Sequence, residues 1–503
     1  MILPYPNLLS RVMTTIADNI KIPFTFAKRY GVLVTAIEDG IAKIIYHAKP
    51  NPAVLTELRR YLSVPLTLAE VNEETFTKFL VKTYETDSSI AMQMAEDMGD
   101  DMDLYHLMQE LPKPEDLLEK QDDAPIIRLL NALLSEAIKE SASDVHIETF
   151  ENRVLVRFRV DGVLREILEP QRILAPLIVS RIKVMAKLDI AEKRLPQDGR
   201  LTLRIGGHAV DVRVSTMPTS HGERIVLRLL DKQNAHLDLA QLGMAPSILE
   251  LMQKVITNPH GILLVTGPTG SGKTTTLYAA LTVLNNCSRN ILTVEDPIEY
   301  DLSGIGQTQV NHKVQMTFAK GLRAILRQDP DVVMVGEIRD LETAQIAIQA
   351  SLTGHLVLST LHTNSAIGAI TRLVDMGIEP FLLASSLVGV LAQRLVRLLC
   401  PTCKKAQSAS SSECAMLGVA QAEIFNPVGC DQCRNTGYSG RSGVYELIAL
   451  NEPLRIMIHD QAPEQQIKKY ARTLFPSIRQ DGYQLVLAGK TSLEEILRVT
   501  SEE

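Results

Sequence analysis

The chain of 503 residues contains no tryptophan, and aromatic residues make up only 4% of it. Proteins that grip single-stranded nucleic acids commonly stack bases on aromatic side chains set among basic residues. A basic excess is absent too, since the formal net charge is −7 and the pI is about 5.9. Both absences count against a nucleic-acid-binding function.

Long apolar runs are also missing. No segment approaches the roughly 18 apolar residues that a membrane-spanning helix needs. The nearest candidate, residues 173–188, is interrupted by Arg181, Lys183 and Lys187. The first twenty residues lack an early positive region and a cleavable small-residue site, so no signal peptide is expected. We therefore expect a cytoplasmic protein that meets a membrane only through partners.

Cysteine is scarce, with six residues in the whole chain. This number does not suggest a secreted disulfide scaffold, and a reducing compartment is expected. What the chain does have is 45% hydrophobic and 22% charged residues, which is typical of folded globular proteins. Its length suggests about three domains.

Periodicity and charge divide the chain into three folded parts. Residues 1–93 mix strand-like and helical patterns and predict a small α/β domain, and the acidic residues 94–104 predict a solvated linker. Residues 105–235 begin with an amphipathic helical pattern and continue as strands, which predicts a second α/β domain. Residues 236–503 alternate strand and helix up to about 390, which predicts a mostly parallel sheet. A cysteine-containing insert at 398–436 and a helical tail belong to this third domain.

The strongest local signal is a G-x-x-x-x-G-K-[ST] segment between a buried-strand pattern and a helical pattern. Its glycines let the backbone fold tightly, so that N–H groups and the helix N-terminus converge on phosphate oxygens. Lys273 is expected at the outer phosphates, and the Thr274 hydroxyl at Mg²⁺. The segment predicts an ATP or GTP site built from Gly267, Pro268, Thr269, Gly270, Ser271, Gly272, Lys273 and Thr274.

Two further stretches place carboxylates after apolar strand patterns. Glu295 and Asp296 end one such run, and we assign them indirect support of Mg²⁺. In DPDVVMVGEIRD, Gly336 stands where a Walker B strand usually has its metal-binding aspartate. We therefore assign the next residue, Glu337, to polarise the attacking water.

Histidine and arginine pairs give weaker signals around the same strands. His355 and His362 flank a buried-strand pattern, where phosphate sensing and a structural role are equally plausible, and His362 is our catalytic candidate. Arg323 and Arg327 stand at i, i+4 before the Walker B strand. They could support the site or form a solvated helix face.

Four of the six cysteines form two C-x₂-C pairs separated by residues 404–429, namely Cys400 with Cys403 and Cys430 with Cys433. Two such pairs suit one tetrahedral zinc site better than redox chemistry, which would more plausibly use a single pair at a helix start. Four thiolates leave no open position, so the zinc should be structural. Cys287 and Cys414 fit neither pair and are interpreted as ordinary thiols.

In this order the motifs resemble the Walker A, aspartate, Walker B and histidine boxes of the secretion ATPase superfamily, which includes type II secretion and type IV pilus motors. SASDVHIE, RLPQDGRL, VRVSTMPTSHGERIVLRLLD and GYSGRSGVYEL are similar to family stretches, so the resemblance covers roughly residues 120–500. It implies an α/β fold with a RecA-like P-loop ATPase core. A smaller PAS-like α/β domain and an N-terminal partner-docking domain would precede this core, which would carry a tetracysteine zinc insert.

The resemblance also implies ATP, Mg²⁺ and structural Zn²⁺ as cofactors, and a homohexamer as the active form. Arginines of the second domain would reach the ATP phosphates, and the matching positions are Arg213 and Arg228. For each of them a surface strand charge is the alternative. The N-terminal domain would dock on the cytoplasmic domain of an inner-membrane secretion protein, protein L. Together with contact to the inner-membrane platform protein F, this implies peripheral attachment to the cytoplasmic face of the bacterial inner membrane.

Within the superfamily, the chain most resembles a type II secretion motor, in which ATP hydrolysis drives pseudopilus assembly and protein export across the outer membrane. The tetracysteine segment favours an assembly or secretion motor over a retraction motor. A type IV pilus assembly ATPase is the nearest alternative. A nucleic-acid translocase and a non-hydrolysing nucleotide-dependent scaffold are more distant ones.

Overall fold

The computed structural model describes residues 22–79 and 124–501, apart from short gaps at 23–25, 28–29, 39, 48–49, 63, 73–74, 77–78, 206–207, 232–237 and 287. The chain divides into two units, with the boundary between Leu230 and Asp231. The predicted acidic linker, residues 94–104, lies outside the described residues. Among the described residues, no helix is both long and apolar enough to cross a membrane.

A three-stranded sheet and a helix form the described N-terminal part. Its elements are β1 (Val32–Glu38), β2 (Ile41–Tyr46), α1 (Pro52–Leu62) and β3 (Leu66–Glu70). β1 and β2 pair antiparallel, and β3 joins β2 in parallel after the α1 crossover. Val32, Ile44 and Leu58 are almost fully buried and share one small core. The strand and helix patterns seen in this stretch of sequence are thus present.

Six strands and two helices follow, up to the unit boundary. They are α2 (Ala124–Lys139), β4 (Asp144–Thr149), β5 (Val154–Val160), β6 (Val163–Leu168), α3 (Ala175–Met185), β7 (Gln197–Ile205), β8 (His208–Thr219) and β9 (Gly222–Asp231). The strand order is β6-β5-β4-β9-β8-β7, and α2 and α3 share one hydrophobic core with the sheet. Alternation in strands such as VLVRFRV sends apolar residues to this core and basic residues to the opposite face.

A seven-stranded sheet organises the second unit, and its order is β12-β11-β13-β14-β10-β15-β18. Every neighbouring pair is parallel except β15 with β18, which confirms the predicted mostly parallel sheet. β16 and β17 form a separate pair. The strands are β10 (Gly261–Thr266), β11 (Ile291–Glu295), β12 (Gly306–Gln309), β13 (Val332–Val335), β14 (Leu356–Leu361), β15 (Leu387–Leu399), β16 (Lys405–Ser408), β17 (Glu423–Asn426) and β18 (Tyr438–Ala449).

Helices cover both faces of this sheet. Along β10, Ile262 and Leu264 enter one core while Leu263 and Val265 enter the other. Burial on both faces explains why β10 is an unbroken apolar run in the sequence. The helices are α4 (Pro246–Ile256), α5 (Lys273–Leu284), α6 (Phe318–Ile325), α7 (Leu341–Leu352), α8 (Ala366–Asp375) and α9 (Pro380–Ser386).

The cysteine-containing segment is inserted between the antiparallel strands β15 and β18, and a helical tail follows them. The helices are α10 (Ser411–Leu417) in the insert, then α11 (Glu452–His459), α12 (Glu464–Ala471), α13 (Ile478–Leu487) and α14 (Leu493–Val499). Arg397 of β15 donates to both carboxylate oxygens of Glu495, at 3.1 and 2.7 Å. Because the Glu495 side chain is fully buried and a buried carboxylate needs a partner, this pair ties the tail to the sheet.

Asp481, on α13, is a buried acid where the tail meets β18. Its carboxylate accepts a hydrogen bond from the Tyr445 backbone N–H at 2.9 Å. Burial raises the pKa of Asp481 from 3.8 to about 6, with the Tyr445 N–H opposing the shift. A folded-state pKa above the unfolded one means that ionisation of Asp481 weakens the fold. Its cost is absent below pH 3.8, grows between pH 3.8 and about 6, and is complete above that.

Asp481→Asn should therefore stabilise the protein at neutral and alkaline pH, because the amide keeps an acceptor for Tyr445 and cannot ionise. The gain should be on the order of 2 kcal/mol above pH 7 and less than half of that near pH 4.5. Thermal unfolding at both pH values measures it. Asp375→Asn, at an exposed position, is the matched control and should show no pH-dependent gain. An equal gain at both pH values would contradict this account of Asp481.

Candidate nucleotide and metal sites

The predicted phosphate loop connects β10 to α5 at the carboxyl edge of the parallel strands. Gly267, Gly270 and Gly272 have φ angles of 147°, 79° and 87°, where a residue with a side chain would be strained. A Cβ atom at Gly267 would also lie 2.5 Å from the Gln393 carbonyl oxygen. The loop thus packs closely on β15, while its tip, Pro268, Thr269 and Gly270, is exposed to solvent.

Lys273, the first residue of α5, is folded back onto the loop. Its Nζ donates to the carbonyl oxygens of Gly267 and Pro268, at 2.8 and 3.1 Å. Burial lowers the pKa of Lys273 to about 8, Glu337 opposes the shift, and Arg394 adds to it. Because a cation buried this way gains from any added negative charge, the loop is electrostatically suited to an anion.

Two hydroxyl groups complete the loop. The Ser271 Oγ is buried and accepts or donates no hydrogen bond among the described residues. The Ser271 carbonyl accepts a hydrogen bond from the Gln393 side-chain amide at 2.6 Å, which fixes the loop on β15. Thr274 is half-buried in the first turn of α5, and its assignment to Mg²⁺ stays a prediction.

Glu337 follows β13 directly and is held by residues of both neighbouring boxes. The His362 Nε2 lies 3.2 Å from one Glu337 carboxylate oxygen, and the Arg339 guanidinium pairs with the other. The Glu337 side chain is only 13% exposed. The structure therefore brings together two predicted catalytic residues that are 25 positions apart in sequence.

Gly336 allows β13 to lie close to β11. Its N–H donates to the Val294 carbonyl at 2.8 Å, and a Cβ atom there would lie 3.4 Å from the Glu295 Cα. A larger side chain at this position would press against the aspartate-box strand. This contact is a physical reason for glycine where a Walker B strand usually has aspartate.

The two histidines lie at opposite ends of β14. His355 precedes the strand, and its Nδ1 lies 2.8 Å from the Ala350 carbonyl oxygen at the end of α7. His362 follows the strand at the carboxyl edge, where the phosphate loop also lies. Strand direction thus separates the pair, and His362 alone is placed with the candidate site.

The aspartate box contains one enclosed and one more open carboxylate. Glu295 is 3% exposed and accepts hydrogen bonds from Thr293 at 2.5 Å, from Gln307 at 3.1 Å and from the Tyr278 hydroxyl. Asp296 is more exposed, and the His312 Nε2 lies 3.3 Å from its carboxylate. Glu295 is thus bonded to α5, β11 and β12, and the Mg²⁺ roles of both acids stay predictions.

Sequence reasoning missed two polar residues of β15 that contact the site. Besides the bond from Gln393 to Ser271, the Arg394 guanidinium donates to the Asn364 carbonyl at 2.8 Å. Gln393 is 1% exposed and Arg394 9%. The available signal was a pair of polar residues inside an otherwise apolar strand pattern, because buried polar groups need specific partners.

Arg323 and Arg327 form surface contacts along α6. Arg323 pairs with Glu342 of α7 at 2.6 Å, and both side chains are more than half exposed. Arg327 donates to the Arg323 carbonyl at 2.8 Å. Of the two interpretations given above, this geometry favours a solvated helix face.

Arg213 and Arg228 lie in the six-stranded sheet of the first unit. They alternate along β8 and β9 with the core residues Val212, Val214 and Leu227, so both arginines belong to the face opposite the core. The Arg228 Nε donates to an Asp144 carboxylate oxygen at 2.9 Å. Their contact with a nucleotide stays a prediction.

The four paired cysteines converge at one point in the insert. The Sγ atoms lie 3.9 Å apart in the Cys400–Cys430 pair and 3.7 Å apart in the Cys403–Cys433 and Cys430–Cys433 pairs. All four Sγ atoms lie within 4.8 Å of one another. Zn–S bonds of about 2.3 Å in a tetrahedron require S···S separations of about 3.8 Å, so the cluster fits zinc.

Backbone N–H groups also point at these sulfurs. Gly429 donates to the Cys403 Sγ at 3.3 Å, while Cys430 and Gly437 both donate to the Cys433 Sγ at 3.2 Å. Such donors favour thiolates, which are the form that binds zinc. Cys414 lies on α10, with its Sγ 3.8 Å from the Ala409 carbonyl, and is not part of the cluster.

A glycine-rich loop between a parallel strand and a helix, with Glu337 and His362 beside it, defines the protein as a P-loop ATPase. The sequence pattern of the Type II/IV secretion system protein family matches residues 119–498, and that of an N-terminal domain of GSPII protein E matches residues 21–84. The chain belongs to this secretion ATPase family, which confirms the resemblance found in the sequence.

Individual relatives place the chain near the type II secretion members. It is 62% identical over 486 residues to the type II secretion system protein E of Pseudomonas aeruginosa, covering 96% of this chain and 97% of that one. It is 59% identical over 487 residues to the type II secretion system ATPase E of Vibrio cholerae, with the same coverages. A crystal structure of the pilus retraction motor PilT with bound ADP is 28% identical, with a TM-score of 0.51, and covers 73% of this chain and 95% of PilT.

If the cluster binds zinc, protein purified under reducing conditions should contain about one zinc per chain. Cys403→Ser should lose most of the metal and lower the thermal stability, because three thiolates no longer complete the tetrahedron. Cys414→Ser is the matched control and should keep the metal. Elemental analysis measures both, and a metal-free wild-type protein would contradict the prediction.

Proposed function

We propose that this chain hydrolyses ATP at residues 267–274 and uses the turnover to drive pseudopilus assembly for type II protein secretion. The observation that carries the proposal is the convergence of Lys273, Glu337 and His362 at one sheet edge, in a chain similar to type II secretion ATPases. Relatives at 59% and 62% identity are type II secretion proteins, which favours this function over the pilus-assembly and translocase alternatives.

In the proposed reaction, the N–H groups of the loop and the Lys273 ammonium bind the phosphate oxygens. Lys273 exchanges its hydrogen bonds to the Gly267 and Pro268 carbonyls for bonds to the nucleotide. Mg²⁺, when bound through Thr274, would neutralise charge on the phosphates. Glu337, fixed by His362 and Arg339, orients the attacking water and accepts its proton.

We further propose that Arg213 and Arg228 contact the phosphates and stabilise the charge that develops during transfer. A planar arginine fork suits a phosphoryl group because it donates two parallel hydrogen bonds. The active form would be a homohexamer. Asp296 is the better placed of the two aspartate-box acids for indirect support of Mg²⁺, since Glu295 is already bonded to three protein donors.

The segment at residues 21–84, which matches a GSPII protein E domain, supports a docking role for the N-terminal domain. We propose that it binds the cytoplasmic domain of the inner-membrane secretion protein L, and that the platform protein F is a second partner. Attachment to the cytoplasmic face of the inner membrane would follow from these contacts. The Zn²⁺ would be structural and would hold the base of the insert together at the four cysteines.

Glu337→Gln should reduce ATP turnover by at least 100-fold while ATP binding stays within a few-fold of wild type, because the amide keeps the shape but cannot accept a proton. Lys273→Ala should weaken ATP binding itself. Phosphate release and equilibrium binding of a fluorescent ATP analogue separate the two effects. Arg323→Gln, on the α6 surface, is a control that should retain turnover. Full turnover by Glu337→Gln would contradict the hydrolytic role.

The full chain should bind the cytoplasmic domain of a type II secretion protein L and should not bind the corresponding component of a pilus system. Binding should raise the ATPase rate, because recruitment favours the oligomeric form. Size-exclusion chromatography combined with phosphate-release assays measures both effects. A preference for the pilus component would instead support the pilus-assembly alternative.

A further inference from the structure

The segment SASDVHIE, which the proposed reaction does not use, places three polar residues on one face of β4. Asp144, His146 and Glu148 alternate with Val145 and Ile147, which enter the hydrophobic core. The three polar residues therefore belong to the opposite face of the sheet, the face that carries Arg228. All three are nevertheless buried, at 5%, 7% and 4% exposure.

Arginines on the two neighbouring strands account for the burial of Asp144. The Arg228 Nε of β9 donates to Asp144 Oδ1 at 2.9 Å, and the Arg159 Nε of β5 lies 3.6 Å from Oδ2. Ser143 also donates to Oδ2, at 2.8 Å. Register explains this pairing, because Asp144 stands directly opposite Arg159 on one side and Arg228 on the other.

Glu148 repeats the arrangement one step further along β4. Its carboxylate oxygens lie 2.6 Å from an Arg157 nitrogen and 2.7 Å from an Arg224 nitrogen. Between the two acids, the His146 Nδ1 lies 3.3 Å from Arg224, and burial together with Arg159 lowers the pKa of His146. His146 is therefore neutral at pH 7, and four arginines against two carboxylates leave the cluster with a net positive charge.

The contact between Asp144 and Arg228 uses only the inner nitrogen of the guanidinium. Nε is bonded to the carboxylate, and the terminal nitrogens have no hydrogen-bond partner in the described part of the chain. The Arg228 side chain is 57% exposed, whereas that of Asp144 is 8% exposed. The buried acid thus fixes the direction of the guanidinium while the two-pronged end, which suits a phosphate group, is presented to solvent.

We infer that Asp144 is a positioning residue that orients Arg228 toward the phosphates of the nucleotide, with Glu148 holding the flanking arginines. This inference rests on the proposed function, in which Arg228 contacts ATP. A fixed arginine loses less side-chain entropy on binding than a mobile one, so orientation by Asp144 raises the rate without any contact between Asp144 and the nucleotide. Asp144→Asn keeps the shape but loses the charge that holds the guanidinium.

A double-mutant cycle on the purified full chain tests the inference. Arg228→Gln and Asp144→Asn should each lower kcat about tenfold, which corresponds to about 1.4 kcal/mol. The double variant should be no slower than Arg228→Gln alone, because Asp144 acts through Arg228. A purely structural role for Asp144 would instead give additive losses. Glu151→Gln, at an exposed position in the turn after β4, is the control and should keep the wild-type rate.

The outcomes separate the inference from the proposal beneath it. Wild-type turnover in Arg228→Gln would overturn both the role of Arg228 in the proposed function and this inference. A slow Arg228→Gln with a wild-type or additive Asp144→Asn would overturn the inference alone. If Asp144→Asn does not fold, Asp144→Glu, which keeps the charge but shifts it by one methylene, should show a smaller loss that is again absent beside Arg228→Gln. An additive loss from Asp144→Glu would also overturn the inference.

Discussion

The hydrogen bonds between the carboxyl ends of β10, β13 and β14 are the constraint on which the candidate site depends. The Thr266 hydroxyl, at the end of β10, bonds to the Thr363 hydroxyl at 2.7 Å and accepts from the Thr363 N–H at 3.0 Å. The Thr360 hydroxyl donates to the Gly336 carbonyl at 2.8 Å. These bonds fix the histidine box against both the phosphate loop and the Walker B strand, so that residues from three distant segments share one geometry.

Buried polar contacts extend the same framework to either side. On one side Gln393 and Arg394 of β15 bond to the phosphate loop and to Asn364, and on the other Glu295 is bonded by α5, β11 and β12. Such networks are stable only when their members are satisfied, and they then hold side chains in single positions. The Lys273 ammonium is the member whose partners are expected to change, because loop carbonyls are weaker partners for it than phosphate oxygens.

How much could be predicted depended on whether a residue's role is written in its local sequence. The phosphate loop, Glu337 and the cysteine pairs are recognisable because chemistry fixes residue types at short spacings. Strand direction decided between His355 and His362, and only the sheet order shows which end of β14 meets the loop. The contacts of Gln393 and Asp144 join residues 122 and 84 positions apart, and no local periodicity contains such pairings.

The most direct test of the account is an experimental structure of the chain with a non-hydrolysable ATP analogue and Mg²⁺. The account predicts that the Lys273 Nζ leaves the Gly267 and Pro268 carbonyls and bonds to the outer phosphate oxygens, while the Glu337 carboxylate faces the terminal phosphate. A nucleotide bound elsewhere, or a loop in which Lys273 keeps both carbonyl bonds beside a bound nucleotide, would contradict it.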